Sequence, residues 1–174
     1  MKKNLLIVLI AVAAICFGSQ AKAQNPTATS GPVTVNINLT DAISITLGAA
    51  PTVNFDYTTA ADYAASKTVT KANHFTVVSN KPYDLTVAAT GAFTPAGGPA
   101  LNIVTVTVPA ATANGGTPVA NVPLSTTAAP LVNGSTASTG AIYTVDYTIS
   151  NPASLLNLAG STYSTTVTYT ATQQ

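Results

Sequence analysis

Apolar and polar positions alternate along most of this chain. The last stretch shows it most plainly. After Gly160, Tyr163, Val167 and Tyr169 recur at even spacing, with Thr165 and Ala171 in phase, while Ser164, Thr166, Thr168 and Thr170 occupy the other phase. Successive strand side chains point to opposite faces, so this pattern predicts a strand with one face on a core and one towards water. Tyr163, Val167 and Tyr169 are its expected core residues.

The same grammar recurs upstream. Val33, Val35, Ile37 and Leu39 alternate with Thr34, Asn36, Asn38 and Thr40, and predict an equally clean half-buried strand. Ile43, Ile45 and Leu47 resume the pattern after Asp41, and Val53, Phe55 and Tyr57 follow Pro51. Further strands are predicted near 67–70, 74–79, 83–89, 103–108, 119–124 and 143–149. Asn80-Lys81-Pro82 and Asn114-Gly115-Gly116 supply turns, and 91–99 and 125–140 read as loops. Only 58–66 has helical character, with a threonine cap and Asp62 in the first turn.

About eight to ten short strands with turn signals between them predict an all-β fold: an antiparallel β-sandwich of Ig-like or Greek-key type. The expected organisation is a signal peptide at 1–23, a flexible lead-in at 24–32 and a single sandwich domain at 33–174. The signal peptide rests on Lys2-Lys3, the apolar run Leu5 to Phe17 and the Ala21-Lys22-Ala23 end. The run falls short of the roughly 20 apolar residues of a membrane span. Cys16 is preceded by Ile15 rather than a small residue, which favours soluble secretion over lipidation. The expected location is therefore extracellular or cell-surface, with the periplasm in transit and no membrane span after signal removal.

Composition narrows the chemistry. Beyond residue 23 the chain keeps Lys67, Lys71 and Lys81 against five aspartates, with no arginine, glutamate or tryptophan. No basic patch can neutralise phosphates, which argues against nucleic acid as a partner. Cleavage removes the only cysteine, so no disulfide or thiolate site remains. His74 is the single histidine and lacks cysteine or histidine partners, so it reads as a solvated or hydrogen-bonded imidazole at a strand start. The aspartates lack an Asp-x-Asp-x-Asp calcium loop and fit turn and cap roles. No Gly-x-Ser-x-Gly elbow is present. The expectation is a protein without catalysis, cofactor or metal.

Three quoted elements carry a family resemblance: VTVNINLTDAISITL behind the signal, PTVNFDY, and the closing Gly160-x-x-Tyr163-x-x-x-Val167-x-Tyr169. In this order they resemble small secreted bacterial sandwich domains of the pilin, spore-coat-U and WxL kind. The chain has neither the disulfide of many pilins nor the tryptophan of WxL domains. The resemblance implies a cell-surface structural, adhesive or fimbrial protein, with self-association or other surface proteins as partners. It also implies assembly by β-strand addition, in which Val33, Val35, Ile37 and Leu39 form the donated strand. The alternative is that these four belong to the domain's own first strand. A different class of function is a soluble module for a glycan or other ligand, with Tyr57, Tyr63, Tyr143 and Tyr147 as exposed platforms.

Overall fold

The computed structural model describes residues 26–158 and 160–174; the expected signal peptide and Cys16 lie outside the described residues. From Leu39 onward the chain forms one compact unit. It is an all-β sandwich of two antiparallel sheets, with nine strands among the described residues. One sheet has the order β1 (Ile43–Leu47), β2 (Lys67–Ser79), β8 (Ser138–Ile149), β4 (Val104–Thr107), β6 (Val122–Pro123). The other has the order β5 (Thr117–Pro118), β7 (Ala129–Ser135), β3 (Tyr83–Ala89), β9 (Val167–Gln173). Apart from β1 to β2, every connection passes from one sheet to the other.

The core follows from the alternation. Along β3, Tyr83, Leu85, Val87 and Ala89 are buried and the residues between them half-buried. In β8, Ala141, Tyr143, Val145, Tyr147 and Ile149 point inward. Phe75 stacks on Tyr143 with centroids 5.0 Å apart and lies 4.7 Å from the Tyr169 ring. These rings join the two sheets through the middle of the sandwich.

Four expectations are corrected. The two predicted strands at 67–70 and 74–79 are one, β2, broken by a bulge. Lys71 opposes Val145 and Phe75 opposes Tyr143, so β2 carries two more residues there than β8. Asn73 takes a positive φ of 51°, and the irregularity turns both His74 and Phe75 inward, where strict alternation would bury only one. Gly48 is required opposite it, because a Cβ would stand 2.2 Å from the Asn73 carbonyl oxygen. The second correction is β7, inside the predicted loop 125–140. Leu131 and Val132 are both buried, but the residues around them are small or polar and hide the strand signal.

Third, Val53, Phe55 and Tyr57 do alternate into the core, yet the segment belongs to no ladder. The helical stretch next to it forms a short 3₁₀ helix, Ala60–Ala64, capped as expected. Asp62 accepts hydrogen bonds from the Thr58 and Thr59 amides and from Thr59 Oγ1, and pairs with Lys67 Nζ at 2.9 Å. Lys67, then these donors, hold the carboxyl well below its ordinary range.

The fourth correction concerns residues 33–39. They form no strand of the sandwich: 26–42 carry no strand pairing, and Val33, Val35, Ile37 and Leu39 are 82, 79, 80 and 87 % exposed. The half-burial that their alternation predicts is absent.

Candidate functional site

Two features of the sheet edges define the site. The first is β9. It pairs with β3 in unbroken register from Val167 opposite Ala89 to Gln173 opposite Tyr83, and with no other described strand. The flanking bonds, Thr90 N–H to Thr166 O and Gln174 N–H to Pro82 O, set the parity of the ladder. Even-numbered residues of β9 direct their backbone groups at β3. Val167, Tyr169, Ala171 and Gln173 therefore turn their N–H and C=O groups towards the uncovered side. Such a row is a template for another strand.

The second feature is the apolar margin beside it. At this side of the sandwich Val167 and Ala171 of β9 and Ile45 of β1 pack on the core while staying partly exposed, and Leu47 of β1 is 57 % exposed. On the opposite flank Val122 and Leu124 are buried. Of the predicted core residues in the last strand, Tyr169 is buried and Val167 half-buried. Tyr163 lies before β9, half-buried, with its ring packed so tightly on Gly98 that a Cβ there would meet Cδ1 at 2.6 Å.

β9 is tied inward through a buried polar chain. His74, 4 % exposed, bonds through Nε2 to Tyr147 OH at 2.8 Å, and Tyr147 OH bonds to Tyr169 OH. Both tyrosine rings meet the imidazole edge-on at 5.6 Å. Of the two expected states, solvated or hydrogen-bonded, His74 takes the hydrogen-bonded one, and it is buried in mid-strand rather than placed at a strand start. Burial, and then Lys71, lowers its pKa from the ordinary value of 6.5. Burial pushes Tyr147 up to about 12 and raises Tyr169 as well, so both stay protonated hydroxyls at neutral pH. A second chain runs from Asn114 Nδ2 to Tyr83 OH, Tyr143 OH, Ser135 Oγ and the Ala113 carbonyl. These are structural hydrogen bonds between sheets.

His74 gives a pH prediction with a fixed sign. Its pKa is lower folded than unfolded, so the unfolded chain binds the extra proton first and stability falls as pH falls. The loss begins as pH drops through about 6.5, the ordinary histidine value, and is complete below the folded value. Urea midpoints between pH 7.5 and 4.5 should decline for the native chain and stay flatter over this window for His74→Gln. Equal slopes would contradict the buried neutral imidazole.

The tyrosines expected as exposed ligand platforms are not exposed. Tyr143 and Tyr147 are core residues, at 0 and 4 % exposure. Tyr57 and Tyr63 are half-buried and packed together, centroids 5.1 Å apart, with Lys67 Nζ over the Tyr57 ring. Among the described residues no helix is long and apolar enough to cross a membrane. Set against models of known protein families and against curated proteins, the chain matches none.

Proposed function

We propose that this is a secreted bacterial surface subunit, structural or adhesive in role, that assembles by β-strand addition. The observation that carries the reading is a complementarity within one sequence. Residues 33–39 are a seven-residue alternating apolar stretch that pairs with no described strand, and β9 is a seven-residue sheet edge that pairs, among the described residues, on one side only. In antiparallel pairing Val33, Val35, Ile37 and Leu39 would oppose Gln173, Ala171, Tyr169 and Val167. Those are the positions whose backbone groups face outward. Directly opposed residues share a face of the sheet, so the donated apolar side chains would fall on the half-covered margin. Backbone bonds then give affinity and the alternate side chains give register.

Burial of Tyr143 and Tyr147 supports assembly over an aromatic glycan platform. The buried His74, bonded to tyrosine rather than to a carboxylate or a serine, supports a role without catalysis.

The test is the size of the native protein on cells, compared on gels with and without boiling. The proposal predicts a ladder of multiples that collapses to one band on boiling. Deleting residues 24–40 should abolish the ladder while leaving the β circular-dichroism signal. A single monomer band in the medium would contradict it.

A further inference from the structure

This inference rests on the strand-addition reading and concerns which copy accepts the strand. Thr40, Asp41 and Ala42, which join residues 33–39 to β1, are not a slack hinge. Ile43 opposes Ser79 in the β1–β2 ladder, so the next pairs outward are Ala42 with Asn80, Asp41 with Lys81 and Thr40 with Pro82. The first rung is a backbone bond, from Asn80 N–H to Ala42 O at 3.2 Å. Beyond it the ladder lacks a donor, since Pro82 has no N–H, and the Pro82 carbonyl already accepts from Gln174 N–H at 3.0 Å.

Side chains continue where the backbone stops. The Asn80 amide accepts from Ala42 N–H at 2.9 Å and donates to Thr40 O at 2.8 Å, as a further strand residue would. Lys81 Nζ and Asp41 Oδ2 pair at 2.6 Å across the same register. From β9, Gln173 Nε2 donates to Ala42 O at 2.9 Å and to Asn80 Oδ1 at 3.0 Å. Together these hold residues 40–42 in line with β1. The exposed ion pair alone would contribute little; the bonds of Asn80 and Gln173 carry the clasp.

Strand directions then decide the partner. β1 runs against β2, the 80–82 turn reverses the chain into β3, and β3 runs against β9. β9 therefore runs with β2 and opposite to β1. A segment reaching its own β9 edge must reverse within residues 40–42, break the clasp and pair parallel, the slightly weaker arrangement. A segment that keeps the heading of β1 meets a β9 edge antiparallel in a neighbour displaced along the strand axis in the same orientation. A device is needed, because a tethered segment is present at its own edge at roughly millimolar effective concentration.

We infer that the occupant of the β9 edge is residues 33–39 of a second copy, and that the Asn80–Asp41–Lys81 clasp keeps the segment from closing on its own domain. Neighbours in one orientation make a head-to-tail contact that does not close, so the product is an open filament.

The test compares residues 24–174 as native chain, as Asn80→Ala/Lys81→Ala, and with a short Gly/Ser insertion between Thr40 and Asp41. Light scattering gives size, and limited proteolysis reports whether 33–39 is covered. The expected result is a protected polymer for the native chain and a protected monomer as the main species for the two released forms. Released forms that polymerise like the native chain would overturn the clasp and leave strand addition standing. A native chain that is monomeric but protected would overturn the second-copy assignment and assembly together, and would assign 33–39 to its own domain. A native monomer cleaved freely within 33–39 would overturn both readings.

Discussion

Val35→Asp together with Ile37→Asp is expected to convert the assembly into monomers without weakening the folded domain. Both side chains are about four-fifths exposed in the isolated chain, so their replacement removes no contact of the sandwich. Exposed substitutions of this kind fall within about 0.5 kcal/mol of neutral. In the assembled state the same side chains would be buried on the half-covered margin beside β9. Losing the burial of two such residues forfeits about 3–6 kcal/mol, and an unpaired carboxylate there adds a desolvation penalty. At 1.4 kcal/mol per tenfold, the contact weakens by two orders of magnitude or more. Light scattering should report monomers, and the thermal midpoint should match that of the native domain. A variant that assembles normally would remove residues 33–39 from the interface.

Phe75→Ala is the counterpart inside the domain. Phe75 is fully buried, stacked on Tyr143 and packed on Tyr169, so it links β2 to strands of both sheets. Truncating a buried phenylalanine costs about 3–5 kcal/mol, a large part of the 5–15 kcal/mol that stabilises a typical domain. The urea midpoint should fall steeply with little change in slope, whereas Thr68→Ala on the exposed face of the same strand should move it very little. A loss below about 1 kcal/mol, the ordinary cost of a substitution, would contradict the central place of this ring.

Much of this fold is legible in the sequence because most strands have one face on the core. Period-two alternation marks β1, β3, β8 and β9, and the Asn80-Lys81-Pro82 turn joins β2 to β3 as expected. What stays hidden has physical causes. The bulge at 72–74 exchanges one period for another, so β2 reads as two strands, and only Gly48 opposite hints at the close approach. β7 is hidden because its inward residues, Leu131 and Val132, are adjacent and not alternating. The tyrosines illustrate a different limit. Tyrosine suits both a wet platform and a buried core, and the hydroxyl partners that permit burial, Ser135 for Tyr143 and His74 for Tyr147, come from distant parts of the chain or another strand.

Residues 33–39 carry the sharpest lesson. Their pattern is the same as that of a half-buried strand, yet among the described residues their apolar side chains are exposed. Alternation states that a face needs cover; it does not state which molecule supplies it. The alternation of the candidate segment was visible, and the exposure of its apolar side chains was not.

The most direct test of strand addition uses the absence of cysteine beyond residue 23. In the proposed antiparallel register Val35 would oppose Ala171 of a second copy as a hydrogen-bonded pair. Such pairs place Cα atoms about 5.5 Å apart, within the roughly 4.4–6.8 Å that a disulfide spans. The measurement is a non-reducing gel of residues 24–174 carrying both Val35→Cys and Ala171→Cys. A ladder of disulfide-linked multiples that reductant collapses to one band is the predicted result, with no ladder when Ala171 is left intact and Ile45 is changed to cysteine instead. Linkage through position 45 and not through 171 would assign the incoming strand to β1 and contradict the account.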